Sequence, residues 1–210
     1  MKVKPKVVEI FGLPNAGKTE LVRYLERYFN EGYKIRFIQD PIREAPVEGQ
    51  LDKNIWTVGR LKTLFLEAKQ QDRDLIIIER GAGAVFASLG SFLKQKQHLN
   101  QKGDRQRAET NIIEALNMIK QEEDFFIFVD VSIETALERD RRAGRNMPGT
   151  IISPEFLDIL QESYQCLCKE HLPISKVKLV NGNLDKDKDA DLMQKCRAII
   201  VRKLISLIPH

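Results

Sequence analysis

The sequence predicts an α/β protein, a five-stranded parallel sheet with helices on both faces, and three observations carry that prediction. Short β-branched or aromatic runs recur along the chain, and amphipathic stretches at helical spacing separate them. A glycine-bearing segment, Gly12-Leu-Pro-Asn-Ala-Gly-Lys-Thr19, stands where the first strand would hand over to the first helix.

Strands are expected at 7–11, 35–38, 75–78, 125–129 and 177–180, each apolar enough to be covered on both sides. After the first, Leu21, Val22, Leu25, Tyr28 and Phe29 fall at helical spacing, and Gly32 offers a left-handed position of the kind that ends helices. Ala108, Ile112, Leu116 and Ile119 mark a second helix, and another should start near Ser132. Ser153 as N-cap with Pro154 at the first helical position opens the next. The last is expected over 189–207, with Leu192, Cys196, Ile199 and Lys203 along the face that packs on the core. Two stretches, 41–59 and 81–107, read as long connections, which in compact domains usually carry function.

The 210 residues fit a single domain, 1–210, and 42% hydrophobic with 30% charged residues is ordinary globular usage, which excludes a disordered or fibrous chain. A net charge of +4 suits anionic small molecules without calling for a polyanion, so nucleic acid is not indicated as a partner. The three cysteines are odd in number, and Cys166 and Cys168 lack the two-residue gap of zinc and redox motifs. His98, His171 and His210 have no metal-ligand spacing either. The apolar run at 7–11 is too short for a signal peptide and no segment approaches a membrane span, so a cytoplasmic protein with reduced thiols and no membrane partner is expected.

The segment from Gly12 to Thr19 matches the phosphate-binding pattern GxxxxGK[ST] at every fixed position and sits between a strand and a helix, as that motif requires. Gly12 and Gly17 let the backbone curl through Pro14, which has no N–H of its own, so that the N–H groups of Asn15, Ala16 and Gly17 turn inward on a phosphate at a helix N-terminus. Lys18 would reach the β and γ oxygens and Thr19 would give its hydroxyl to Mg²⁺, which makes ATP and Mg the expected cofactors. A late NKxD motif, which a GTPase needs, is missing, and so is a strand ending in Asp-Glu, which ATP-driven machines need. The third strand instead ends in Glu79-Arg80-Gly81. Glu79 is placed to hold the metal and Arg80 to orient an acceptor, at the strand ends where open sheets bind ligands.

Further on, Arg139, Arg142 and Arg145 recur every third residue and share one helical side. They would form an Arg-rich lid over 139–149 that closes on the triphosphate; the alternative is a solvated helix end whose charges suit the dipole. Asn181-Gly-Asn183 follows the fifth strand, and Trp56, Phe65 and Phe86 are either core or a platform for an acceptor base.

On Glu79-Arg80-Gly81, Asp40-Pro41-Ile42, the arginine run and the later Tyr164, the chain resembles the deoxynucleoside kinase and thymidylate kinase branch of the P-loop kinases. The resemblance implies a P-loop NTPase fold of the nucleoside or nucleotide kinase kind. It gives Asp40 the role of base toward the acceptor hydroxyl, against a plain turn residue before proline, and it places Asn181 beside the donor base. It implies an ATP- and Mg-dependent kinase whose acceptor is the 5′-hydroxyl of a deoxynucleoside. Gln39 stands where the thymidylate kinases of that branch carry an arginine for the acceptor phosphate, although Arg36, Arg43 and Arg60 are close enough in sequence to substitute. Thymidylate or another nucleoside monophosphate is the second reading, and a polynucleotide end or a non-nucleoside alcohol stays open. From another class, a regulatory P-loop NTPase with no acceptor is the rival. The partners expected are a nucleotide and a small-molecule acceptor, with a homodimer left open.

Overall fold

The structure, a computed structural model, describes residues 4–30, 32–95, 99, 101–144, 153–185 and 188–208. In chain order these form β1 (Lys6–Phe11), α1 (Lys18–Tyr28), β2 (Ile35–Ile38), α2 (Gln50–Gln70), β3 (Leu75–Glu79), α3 (Ala82–Lys94) and α4 (Asp104–Gln121). There follow β4 (Phe125–Asp130), α5 (Ile133–Arg142), α6 (Pro154–Cys166), β5 (Val177–Asn181) and α7 (Ala190–Ile205). The five expected strands are present within one or two residues of their predicted limits.

All pairings are parallel and the strand order is β2-β3-β1-β4-β5. The chain moves to one side of β1 for β2 and β3 and to the other for β4 and β5, so the order reverses at β1. Five parallel strands also end on one edge. In register, Ile10 lies beside Glu79 on one flank and beside Ile127 on the other, which brings the end of β1 level with the ends of its neighbours. A crevice at that reversal is where open parallel sheets take ligands.

The central strands are buried along almost their whole length, as a sheet covered on both sides demands. Phe11 stacks on Phe128 with ring centroids 5.2 Å apart, and Tyr164 of α6 packs on both rings. Burying Phe11, Phe126 and Tyr164 contributes about 1.5–3 kcal/mol each. Serine caps fix the starts of two helices as predicted: Ser132 accepts from Thr135 N–H and Ser153 from Phe156 N–H, both at 3.2 Å.

Two expectations fail. The connections at 41–59 and 81–107 are largely helical: a short 3₁₀ turn (Pro41–Glu44) and the first half of α2 fill most of one, and α3 with the start of α4 most of the other. Ala-Gly-Ala-Val-Phe-Ala-Ser-Leu-Gly-Ser in α3 is small and apolar on every side because the helix is almost wholly buried, which erases the amphipathic signal. In α7 the buried stripe is Ile200, Val201 and Leu204, whereas Leu192 and Ile199 are exposed. Two apolar stripes run side by side there, and the sequence reading took the outer one. Among the described residues no helix is long and apolar enough to cross a membrane, and Cys166, Cys168 and Cys196 are free thiols.

Candidate active site

A cleft of about 790 Å³ opens at the carboxyl edge of the sheet, lined by the segment from Pro14 to Thr19 together with Asp40, Glu79, Arg80, Arg139, Arg142 and Asn181. The strand ends deliver most of these groups: β1 runs into Gly12, β2 into Asp40, β3 ends on Glu79 and β5 on Asn181.

The phosphate-binding segment is shaped by close approach. Gly12 has φ +144°, and a Cβ there would lie 2.3 Å from the Val129 carbonyl oxygen, so no other residue fits. Gly17, with φ +97°, caps α1 without a side chain, which leaves the first-turn N–H groups and the positive helix end facing the cleft. Asn15 adopts the left-handed region at φ 58°, and Asp140 of α5 accepts from its Nδ2 at 3.0 Å. Lys18 is 7% exposed and donates to the Gly12 and Leu13 carbonyls at 3.1 and 2.7 Å. Burial, and then the neighbouring Arg80 cation, push its pKa down to about 8. Glu79 and Asp40 favour the charged form but do not offset the burial, and an anion in the cleft would add to their counter-charge.

Thr19 donates its hydroxyl to Glu79 Oε1 at 2.6 Å, and Glu79 Oε2 is buried without a hydrogen-bond partner. An orphaned carboxylate oxygen beside a hydroxyl is a hard-oxygen donor set, and these residues fit Mg²⁺ completed by phosphate and water.

Across the cleft, Asp40 is 7% exposed and does two things. One oxygen accepts the Ile42 N–H at 3.3 Å to cap the 3₁₀ turn, and its carboxylate lies 3.7 Å from Arg80 Nε and 3.9 Å from Arg43 Nε. Base and turn residue, the two sequence readings, are compatible in one side chain. Arg80 sits at φ 61° with its N–H on the Ile10 carbonyl, a left-handed residue of the kind that is held only where its surroundings fix it. Burial opposes its charge, yet Asp40, Tyr164, Glu79 and Glu9 outweigh it and raise its pKa.

The arginines divide. Arg139 donates to the Asn15 carbonyl at 3.1 Å and to the Leu184 carbonyl at 3.2 Å, tying the phosphate segment to the loop after β5. Arg142 is exposed and paired with Glu138 one turn back, free to swing toward a bound anion. Arg145 and the rest of the expected lid, 145–149, lie outside the described residues. We expect Arg139→Ala to weaken nucleotide binding, whereas Arg142→Ala should lower kcat more than it raises the nucleotide Kd. Parallel measurement of both constants checks this, and equal losses in the Arg142 variant would make that side chain a simple electrostatic tether.

Asn181 lines the cleft, but its Oδ1 accepts the Asn183 N–H at 2.9 Å and so shapes its own loop, while Asn183 Oδ1 takes the Ser132 N–H at 2.8 Å. Phe65 is core, and Phe86 meets the edge of His171. The sequence reading missed Asp140; its one signal was its place a turn after the buried Ala136 on α5.

It also missed a buried acidic pair. Glu9 accepts from Gly83 and Ala84 N–H at 2.8 Å each, and Glu123 accepts from Ala82 N–H at 3.0 Å, so two carboxyls together cap α3 directly after Arg80. Desolvation, and then the Glu9 charge, raise the Glu123 pKa well above the ordinary range, and desolvation raises that of Glu9, which favours one proton held on the pair. Glu122, Arg80, Tyr164 and Cys168 are the other titratable groups within electrostatic reach. A raised carboxyl pKa means that the folded protein holds this proton more tightly than the unfolded chain does. The resulting stability is complete below about pH 4.5 and is lost as pH rises through the folded-state value. Glu123→Gln mimics the protonated acid at every pH. We expect it to melt a few degrees above the parent near pH 8 and level with it near pH 4.5, about 2–4 °C for each 1 kcal/mol in a chain of this size. Thermal melts across pH check this, and parallel curves for the two proteins would overturn it.

No family model matches the chain, and no curated protein matches its sequence. Solved structures do match. Deoxyadenosine kinase from M. mycoides with products dCMP and a flexible dCDP bound aligns at TM-score 0.69 and 18% identity over 95% of this chain and 99% of that one. The same enzyme with dCTP gives 0.65 and 18% over 95% and 99%, and with dATP 0.66 and 20% over 90% and 97%. The likeness establishes the fold, that of a P-loop deoxynucleoside kinase, over nearly the whole chain.

Proposed function

We propose that the protein is an ATP- and Mg²⁺-dependent kinase that phosphorylates the 5′-hydroxyl of a deoxynucleoside. The observation that carries this is Asp40 facing Arg80 at 3.7 Å in the same cleft that Lys18 and Thr19 line. A base and an orienting cation thus stand beside a phosphate cradle, the pairing that in-line transfer needs. Arg80 steadies the acceptor, and Asp40 takes the proton of its hydroxyl. The freed oxygen pair bonds to the γ-phosphorus as the bond to the bridging oxygen breaks, and those electrons leave with ADP. Lys18 and the first-turn N–H groups of α1 hold the charge that moves onto the leaving phosphate. Thr19 and Glu79 would hold Mg²⁺, which supplies further neutralisation of that charge when bound.

A nucleoside is favoured over a monophosphate because two of the three substitute clamps are engaged elsewhere. Arg36 pairs with Glu67 at 3.3 Å and Arg60 with Glu44 at 2.9 Å, which leaves Arg43 alone of the three on the cleft. Arg43 itself lies 3.9 Å from Asp40, and a dianion held by that one shared arginine in a partly desolvated cleft is costly. The structurally similar kinase carrying dCMP as product supports the same class of acceptor.

The test is ADP release from ATP with thymidine, deoxyadenosine, deoxyguanosine or deoxycytidine, against their 5′-monophosphates, with and without a chelator. At least one nucleoside should raise release well above the acceptor-free rate, and chelation should abolish it. A response to monophosphates alone would make the protein a nucleotide kinase, and release indifferent to every acceptor would make it a regulatory NTPase.

A further inference from the structure

Cys166, Glu170 and His171 carry no recognisable metal spacing as sequence, yet the fold assembles them. Helix α6 does not stop at Cys166 but widens into a π turn over Leu167–His171, closed by the Leu172 N–H on the Leu167 carbonyl at 3.1 Å. At 3.6 residues per turn, a side chain five positions beyond Cys166 would leave on the opposite flank. The wider i→i+5 turn sets positions 170 and 171 on either side of 166, and such turns gather at functional sites. The Cys166 sulfur, a Glu170 oxygen and a His171 nitrogen lie within 4.8 Å of one another. Leu167 and Leu172 anchor the turn in the core, and Phe86 of α3 holds the His171 ring edge-on at 5.2 Å.

The surroundings suit a cation. Free carbonyls at the end of a helix carry partial negative charge. Lys94, the cation that acts on the Cys166 thiol, is paired with Glu162 at 3.3 Å. The thiol donates to Glu170, so a carboxylate already sits where its proton must leave.

We propose that Cys166, Glu170 and His171 bind a divalent cation of the zinc class, with water as the fourth ligand. Sulfur, imidazole and carboxylate together form a borderline-soft set that selects zinc over magnesium, unlike the all-oxygen pair Thr19 and Glu79. Tetrahedral bonds of about 2.0–2.3 Å put ligand atoms about 3.3–3.8 Å apart, so no spacing here has to close by more than about 1–1.5 Å. The exposed Glu170 side chain has the freedom to supply that movement. On binding, the S–H bond breaks, its electron pair forms the sulfur–metal bond, and the proton passes to solvent by way of Glu170. The bound ion would fasten the end of α6 beside α3. This inference does not depend on the kinase reading.

The test is titration of the reduced, untagged full chain with Co²⁺ and then Zn²⁺, following thiolate-to-cobalt charge-transfer absorption. One Co²⁺ per chain should bind and yield to one Zn²⁺. Cys166→Ser should abolish the band and Cys168→Ser should keep it. Glu170→Gln and His171→Ala should weaken binding at least about tenfold, the loss already typical of outer-shell partners. Circular dichroism confirms that each variant is folded. A parent without the band, a band that follows Cys168, or affinity unchanged in both the Glu170 and His171 variants would overturn the site.

Discussion

Lys18→Ala is expected to lower phosphoryl transfer by at least about 10²–10³, while the melting temperature stays within a few degrees of the parent. Rate and stability separate because the ammonium is placed for a ligand's charge rather than for the fold. Its pKa, lowered to about 8, means that the folded state binds this proton less tightly than the unfolded chain does. Below about pH 8 the charge therefore costs stability, and the cost is relieved as pH rises from there to the ordinary value of 10.5. Alanine removes that cost but strips the Gly12 and Leu13 carbonyls of their donor, and the two effects oppose each other. Acceptor-stimulated ADP release and a thermal melt on the same sample settle the matter. Comparable turnover in a folded variant would remove the phosphate-cradle assignment.

Asp40→Asn should reduce kcat by about 10²–10⁴, the range for loss of a general base, with Mg·ATP still bound. Asparagine is the informative replacement because its side-chain oxygen can still accept the Ile42 N–H at the start of the 3₁₀ turn. The cap is kept, while the proton acceptor and the counter-charge facing Arg80 are lost. Were Asp40 merely a turn residue, the variant would match the parent at every pH; were it a base, kcat would fall with little change in the ATP Kd. Steady-state rates across pH, beside ATP binding by calorimetry, distinguish the two.

The residues that could be read from the sequence share one physical property: they stand at the ends of apolar strands. Gly12 through Thr19, Asp40, Glu79 and Asn181 each follow such a run, and in a parallel sheet that places them on one edge whatever lies between. Residues held by long-range partners were not legible. Asp140 grips Asn15 from 125 positions away, and Glu9 meets Glu123 deep beneath α3, where nothing local announces a charge. Helix α3 was lost for a related reason, since complete burial leaves no polar face to set the period. The π turn after α6 was invisible because Cys166 and His171 are neighbours only once the helix has widened.

The acidic pair under α3 has a consequence for how the sequence can drift. A Cβ at Gly81 would stand 2.5 Å from Glu123 Oε1, and one at Gly83 would stand 2.7 Å from Glu9 Oε2, so both glycines exist to admit the carboxyls. Positions 9, 81, 83 and 123 thus form one unit of inheritance. A descendant that replaced both acids with apolar residues would gain by turning Gly83 into alanine, worth about 1 kcal/mol to a helix, and would need a serine or aspartate at 81 to cap what the acids had capped. Any one of these changes alone is damaging. Related chains should therefore carry either the two acids with the two glycines or neither set, and mixed combinations should be rare.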